Sequence, residues 1–581
     1  MRYPSILEED AFMQLLAEGG YMVGKLAQIL YPGHLISRLS DAVEKTRRLI
    51  DENENVCIHE ATIVSDRKMI RVDILRKKGK TLELIEVKAK SWNSTVDDLS
   101  EPKTAREFEE YLEDVAFQYI VLSEAFPEYT IKPYLFMPDK SKRTNIEGLN
   151  GQFELIALPE TAGGFKGFDV KFHGSEKEIR RDDLMTKVDV LPFVQKIEWT
   201  MQLAIIECLD MLFPKLTKHQ AEISIECGKC EYRLQQGAAR NGFAECWGAR
   251  AFQPSHILNL TQLGNINRMT GNSINKAIKQ GRVSISDLNA DTFKGKYNNR
   301  PFYQATAKNE LIERELWDEL DFKYPLCFID FECSRMALPY HRGMRPYENV
   351  AFQWSCHTVH KPGEAPVHSD WINTDDTFPN FKFAVSLMKQ IKNAGTVLIW
   401  TTYENTILKE IYEQMKAYGY ENDELKSWLE CFVKFGKGDS CGYTDLAAIA
   451  CKYYHHPLCQ GKYSIKYVLP AVLHEAKSNS IIQWLDQLKL FDINEEGKIV
   501  NPYDLLPQLD VGSKTVVKDG TGAMRAYQDM QYGIHKNKPL IKMQWKEALR
   551  QYCRLDTLAM VIIWEYWREK QVAGKVVRMR F

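Results

Sequence analysis

No run of eighteen uncharged apolar residues occurs in this 581-residue chain, so a transmembrane helix is excluded on length alone. The opening stretch MRYPSILEEDAFMQLL sets three acids ahead of its apolar part, the reverse of a secretory signal, and predicts a cytoplasmic protein. A glycine-rich phosphate loop of the Walker type is missing, which excludes an ATP-driven motor of that class. There is no readable Ser-His-Asp or Cys-His arrangement for acyl transfer, no internal repeat, and no Pro/Gly/Ser-rich linker long enough to force a boundary. Net charge is nearly absent too: 76 Lys and Arg stand against 78 Asp and Glu, for −2 at neutral pH. Bulk charge therefore cannot coat a nucleic acid. Local basic runs remain at Lys45–Arg48, Arg76–Lys80, Lys140–Arg143 and the C-terminal KVVRMR, and each alone reads as solvated surface.

What is present is globular. Hydrophobic residues make up 44%, charged residues 27% and aromatics 11%, which excludes a disordered or low-complexity chain. The length suits about three to five domain-sized units, or two large ones with a connector. Thirteen cysteines without a secretory signal point to thiols or metal ligands rather than a disulfide framework, most of them small buried residues.

Residues 1–50 have helical apolar spacing, and 56–90 turn to three alternating runs, CIHEATIV, MIRVDILR and TLELIEVKA. A helix is predicted over Ala105–Ala125 and strands near Lys132–Met137 and Gln152–Ala157. Residues 185–320 read as mostly helical, with a cysteine-bearing turn at 227–246. A second αβ unit starts at Tyr324, with strands LCFIDFEC, VAFQWSCHTV and VLIWTTY and a final helix ALRQYCRLDTLAMVIIWEYWREK.

Asp330 and Glu332 interrupt the apolar strand LCFIDFEC. A strand period of two puts both on one face. Two carboxylates that close, in otherwise buried sequence, repel unless a cation neutralises them, and hard oxygens suit Mg²⁺ or Mn²⁺. A strand end whose acids reach solvent is the alternative. In QYCRLDTLAM, Tyr552 and Asp556 are four apart on a predicted helix and share a face. Glu404 stands where the strand VLIWTTY runs into a helix.

An acid pair on a first strand, a third acid at a strand-to-helix junction and a Tyr-x-x-x-Asp on a late helix resemble the DnaQ-like, ribonuclease H-fold 3′–5′ exonucleases. The resemblance implies Asp330, Glu332 and Asp556 as ligands of two metal ions roughly 4 Å apart, with Tyr552 positioning the attacking water. Glu404 stands where that pattern has Asp after Phe or Tyr; Tyr403 supplies the aromatic, but the acid is one methylene longer. Asp445 in TDLAAIACKYY is the next candidate. Lys466 in GKYSIKYVLP either meets a phosphate or lies on a solvated helix face. The passages DFECSRMALPYHRGMRPYENVAFQWSCH, YSIKYVLP and YCRLDTLAM resemble an uncharacterised bacterial family that joins such a domain to an N-terminal RecB-like segment. Arg345 and Gln353 lie in that block as substrate-side candidates.

In KMIRVDILRKKGKTLELIEVKAKS, Glu86 and Lys88 share one strand face, and Asp73 reaches them from the preceding strand. This resembles the Asp…Glu-x-Lys signature of PD-(D/E)XK nucleases, implying acids on Mg²⁺ and a lysine that favours hydroxide beside the scissile phosphate. Glu60, one strand earlier, could complete the acid set. Gln118 stands where RecB-like nucleases carry Gln-x-x-x-Tyr, with Leu122 in the tyrosine position. Cys227, Cys230 and Cys246 have the spacing of a zinc knuckle or cluster site. The family's 4Fe–4S arrangement takes a fourth cysteine from the N-terminal region, and here the first 56 residues have none; Cys208 or His219 could complete a Zn²⁺ site, and thiols without metal are the alternative. The adjacent His455 and His456 look structural.

The expected architecture is α/β: a PD-(D/E)XK-like nuclease unit over 1–200, a helical cysteine-containing connector over 201–320, and a ribonuclease H-like exonuclease domain over 321–581. The expected function is Mg²⁺- or Mn²⁺-dependent phosphodiester hydrolysis, with nucleic acid as partner, DNA ahead of RNA, and no membrane. Two other readings stand beside it: a nucleic-acid-binding module with degenerate acid sites, and a hydrolase of short oligonucleotides or nucleotides. Genome maintenance or defence against foreign DNA follows only by fold-level analogy.

Overall fold

The computed structural model describes the chain apart from residues 1–2, 4, 7–10, 37–39, 159–166, 218–220, 254–255, 264–267, 289–308, 460–461, 477, 508–516, 518, 533–537 and 580–581. His219 and Arg580, both singled out above, lie outside the described residues. The chain divides into two compact units. One holds Phe12–His219 together with Arg335–Glu348; the other holds Met1–Ala11, Gln220–Ser334 and Asn349–Phe581. The boundaries differ from those expected at 200 and 320. A helix over Leu191–Leu212 runs straight through the first, and the cysteine-bearing segment belongs to the second unit.

In the N-terminal unit, helical apolar spacing gives α1 (Ala11–Leu30) and α2 (Ala42–Glu52), with a two-residue strand β1 (His34–Leu35) between them. The three alternating runs become β2 (Asn55–Ser65), β3 (Lys68–Lys78) and β4 (Thr81–Val87), an antiparallel meander. Helix α3 (Glu109–Ala125) returns the chain to β5 (Thr130–Pro138), which lies parallel to β4. A separate hairpin, β6 (Phe153–Ala157) and β7 (Phe168–Phe172), precedes β8 (Met185–Asp189) and α4 (Leu191–Leu212). The sheet order is β1-β2-β3-β4-β5-β8.

Both sheet faces are covered. Leu75 and Leu84 join a core with Ile50 of α2 and Val115 and Val121 of α3. Their strand neighbours Ile74 and Ile85 face a second core with Val23 and Leu26 of α1 and with Ala337 and Leu338. The alternation slips at one level of β2 and β3. Ile58 and Ala61, and likewise Val72 and Leu75, share one core although they are three residues apart. Between them sit Glu60, with φ +57°, and Asp73, flanked by the pairs His59–Ile74 and Ala61–Val72. A positive φ at a non-glycine residue costs energy, and such a slip re-aims the side chain that carries it.

In the C-terminal unit the central strand is β9 (Leu326–Ser334). It pairs antiparallel with β10 (Val350–Val359), which pairs with β11 (Val367–Ile372), a strand the sequence reading did not anticipate. Helix α5 (Asn380–Ile391) leads to β12 (Thr396–Ile399), parallel to β9. After α6 (Tyr403–Tyr418) and α7 (Asp423–Phe432), β13 (Thr444–Asp445) closes the order β11-β10-β9-β12-β13. Then come α8 (Leu446–Tyr453), α9 (Ile465–Glu475) and the long α10 (Pro539–Met579).

Cys327, Ile329, Phe331 and Cys333 of β9 pack under Phe383, Leu387, Ile407, Ile411, Leu425 and Leu429 of α5, α6 and α7. The alternate residues Phe328, Asp330 and Glu332 therefore face the other way, toward α10. That helix is tied to the sheet by Gln353 Nε2 donating to the Leu549 carbonyl at 3.0 Å. Thr557 Oγ1 adds contacts at 2.8 Å to Ser355 Oγ and 2.7 Å to His357 Nδ1. A one-residue slip of β9 would exchange the acids with fully buried apolar side chains, each contributing about 1.5–3 kcal/mol, so the register is fixed.

Among its described residues, the segment 185–320, expected to be mostly helical, holds β8, the long helix α4, helices at Gly242–Trp247 and Arg268–Lys279, and several 3₁₀ turns around a small core of Phe243, Trp247, Ile257, Ile274 and Ile278. Side chains of Ser224 and Asn241 accept backbone N–H groups there, restarting the chain every few residues. Among the described residues no helix is long and apolar enough to cross a membrane.

Candidate active sites

The slip in β3 aims Asp73 at the end of β4, where its carboxylate accepts the Val87 N–H at 2.8 Å. Glu86 is 6% exposed and accepts from Lys88 Nζ at 2.8 Å and from Gln118 Nε2 at 2.9 Å. Asp114 on α3 accepts from the same two donors, at 2.6 Å and 3.1 Å. Asp73, Glu86, Lys88 and Gln118 are thus brought together as the sequence predicted. Asp114 was missed, although it lies one helical turn before Gln118 and so on its face. Glu60 is held by Arg71 at 2.6 Å, yet its charge still acts on Asp73.

Burial, together with the Glu60 and Asp114 charges, raises Asp73 to about 6. Burial and then Asp73 raise Glu86 to about 8. Burial alone would lower the Lys88 ammonium, but Glu86 and Asp114 outweigh it and raise its pKa. Gln118 Oε1 is buried without a hydrogen-bond partner. Crowded carboxylates, each reluctant to ionise, and an orphaned amide oxygen fit a hard divalent cation.

In the C-terminal unit Asp330 and Glu332 project from β9 beside α10, with Glu332 at a register shift of the ladder. Asp556 and Tyr552 come from α10, one turn apart, and are 7% and 4% exposed. Glu404 lies in the first turn of α6, 2% exposed, with Oε2 buried and unpartnered. Burial and then Asp556 hold Asp330 well above the usual carboxylate range. Burial, Asp330 and Asp556 do the same for Glu332. For Glu404 the causes are burial and then Asp330. Asp556 is raised only to about 6; burial raises it, while the Tyr503 and Tyr552 hydroxyls and the Lys466 charge oppose the rise.

Lys466 of α9 sits over this site, with Nζ 5.4 Å from the Tyr503 ring centre and 5.3 Å from that of Tyr552. Its charge acts on Asp330, Glu332 and Asp556. Two residues were missed. Tyr503, from a 3₁₀ turn over Pro502–Leu505, donates its hydroxyl to Asp556. Cys553 sits fully buried with Sγ 3.3 Å from Asp330 Oδ2. Asp445 caps α8, accepting from Ala448 N–H and Thr401 N–H at 3.1 Å each. Four acids with Lys466 above them, and the unpartnered Glu404 oxygen, again fit divalent cations.

Other candidates fall elsewhere. Arg345 lies in Arg335–Glu348, which packs with the N-terminal unit. Gln353 is fully buried opposite Glu332 and donates its amide N–H to the Leu549 carbonyl, while its Oε1 is buried without a hydrogen-bond partner. Cys227 and Cys230 border the small core and Cys246 is exposed. Cys230 is raised by burial and by the nearby Cys227 and Cys246. Cys208 is an exposed residue of α4 in the N-terminal unit.

Among the described residues, two groups of three ligating atoms lie within 4.8 Å of one another: Asp330, Glu332 and Cys553, and His456, His474 and Glu475. The three connector cysteines form no such group. In the second, His456 Nδ1 accepts the Leu458 N–H at 3.1 Å, which fixes the proton on Nε2, facing Glu475 at 3.4 Å. That set is satisfied as hydrogen bonds.

A family described as a domain of unknown function (DUF2779) matches residues 327–464. The matched stretch holds Asp330, Glu332, Glu404 and Asp445; Lys466, Tyr503, Tyr552, Cys553 and Asp556 follow it, and the Asp73–Glu86–Lys88 site precedes it. No curated protein and no solved structure matches the chain.

Proposed function

We propose that the protein is a divalent-metal-dependent nuclease with two separate hydrolytic sites. The C-terminal site is a DnaQ-like 3′–5′ exonuclease centre, and the N-terminal site is a PD-(D/E)XK-like centre. The observation that carries this reading is that Asp330 and Glu332 of β9 meet Tyr552 and Asp556 of α10, with Glu404 buried close enough for the charges of Asp330 and Asp556 to act on it, although the chain separates these residues by as much as 226 positions. The fold supports it as well, since the acid pair lies on the central strand of a mixed sheet, the third acid at a strand-to-helix junction and the Tyr-x-x-x-Asp on a late helix.

Asp330, Glu332, Glu404 and Asp556 would hold Mg²⁺ or Mn²⁺, which supplies Lewis acidity and a hydroxide source when bound. Lys466, whose charge acts on these acids, would meet a phosphate oxygen. The Tyr552 phenol, kept protonated by burial and by the surrounding acids, donates a hydrogen bond and orients water. At the N-terminal site Asp73, Glu86 and the Gln118 oxygen would hold the cation. Lys88 leaves its carboxylate partners to contact the scissile phosphate and neutralise its developing charge.

The test uses one end-labelled duplex with a single-stranded 3′ extension, in Mg²⁺ or Mn²⁺. Asp330→Asn is expected to abolish trimming of the extension and leave internal nicks. Lys88→Ala is expected to abolish nicks and leave trimming. Trimming that persists in Asp330→Asn overturns the C-terminal assignment, and a product pattern unchanged by Lys88→Ala overturns the N-terminal one.

A further inference from the structure

Cys553 has no place in the carboxylate reading of the C-terminal site, yet it stands inside it. It follows Tyr552 and precedes Asp556 by three residues, so the helix puts its thiol on the face that carries the acids. The other cysteines of the sheet, Cys327, Cys333 and Cys356, lie in the opposite core. The Cys553 thiol donates a hydrogen bond to Asp330 Oδ2 at 3.3 Å, which a cation would replace, and Asp330, Glu332 and Cys553 each place a ligating atom within 4.8 Å of the other two. In a tetrahedral zinc site, with Zn–S near 2.3 Å and Zn–O near 2.1 Å, sulfur and oxygen ligands lie roughly 3.6 Å apart. The observed spacing needs only side-chain adjustment to reach that value. A second feature of the same site is Glu404, whose Oε2 is buried without a hydrogen-bond partner.

We propose that Cys553 is a metal ligand, and that with Asp330 and Glu332 it forms a mixed sulfur–oxygen site for a thiophilic divalent cation such as Zn²⁺. Hard Mg²⁺ uses the carboxylates and neglects the sulfur; Zn²⁺ takes both. Because the two ions share Asp330 and Glu332, Zn²⁺ occupancy excludes the hydrolytic arrangement and arrests trimming. This last consequence rests on the nuclease reading, whereas the ligand set does not.

The test uses the full-length chain with Cys227→Ala and Cys230→Ala, which removes the competing thiol pair, and Co²⁺ alone as a spectroscopic substitute for Zn²⁺. One equivalent of Co²⁺ is expected to bind with a sulfur-to-cobalt charge-transfer band. Cys553→Ala should remove the band, and Asp330→Asn should weaken Co²⁺ binding at least tenfold. Should Cys553→Ala fail to fold, Cys553→Ser keeps the volume and polarity and must also lose the band, since oxygen gives no such transition. A band that persists without Cys553, or no band in the parent chain, overturns the proposal. Magnesium-dependent trimming with no cobalt–sulfur band refutes this inference alone, and the band without trimming refutes the nuclease reading alone.

Discussion

Replacing Glu86 with glutamine is expected to stabilise the N-terminal unit in alkaline solution and to leave it little changed in acid. The carboxyl is 6% exposed and titrates at about 8 in the fold, because burial and the neighbouring Asp73 disfavour its charge. In the unfolded chain it titrates near 4.3. Between those values the folded state keeps a proton that the unfolded state has lost, so stability falls as pH rises through this window. The full loss above the folded value is several kcal/mol. Glutamine carries no charge to desolvate and retains an oxygen for Gln118 and Lys88. Urea unfolding followed by circular dichroism at pH 5 and pH 9, in chelator, measures the difference. Wild type should lose stability between the two pH values and Glu86→Gln should lose several kcal/mol less. Adding Mn²⁺ at pH 9 should restore wild type and not the variant. A variant that is the less stable chain at pH 9 would refute the claim that this acid is held at the expense of the fold.

Other outcomes follow from single groups. Tyr503→Phe removes the hydroxyl that supports Asp556 and is expected to cost about 1–3 kcal/mol at neutral pH, read by thermal melting. Asp139 is fully buried; burial would raise its pKa, but hydrogen bonds from Ser94, Thr186 and Ser141 reverse this and hold it at about 2. A depressed acid stabilises above its unfolded value and loses that contribution as pH falls from about 4 to 2, so Asp139→Asn should cost roughly 2 kcal/mol at pH 7 and nothing below pH 2. Lys466→Ala should weaken single-stranded DNA binding and reduce the slope of log affinity against log salt by roughly 1, measured by fluorescence anisotropy in Ca²⁺.

The parts of the two sites that follow a repeat were legible in the sequence. Asp330 and Glu332 share a face because strands alternate, and Tyr552 and Asp556 do because helices repeat near four residues; the structure keeps both pairs. Glu404 was legible as the residue where a strand meets a helix. Tyr503 was not, because its position on Asp556 depends on a short turn 53 residues away that has no period of its own. Cys553 reads as one more small buried residue of an apolar helix until β9 is laid beside it. No local pattern says which core the segment around Arg345 joins. Ala337 and Leu338 settle that by packing with α1. The slip at Glu60 and Asp73 is likewise invisible in strands whose two faces are both buried, where an out-of-phase apolar residue still finds a core.

The most direct test of the central claim is the release of 3′-terminal nucleotides from 5′-labelled single-stranded DNA by the purified full-length chain, with Mg²⁺ or Mn²⁺ and again after chelation. Wild type should shorten the strand stepwise from its 3′ end only when the cation is present, and Asp330→Asn and Asp556→Asn, shown to be folded by circular dichroism, should leave it intact. Stepwise shortening that continues in both variants, or a wild-type chain that binds Mn²⁺ yet leaves DNA and RNA uncut, would contradict the assignment of these buried acids to phosphodiester hydrolysis.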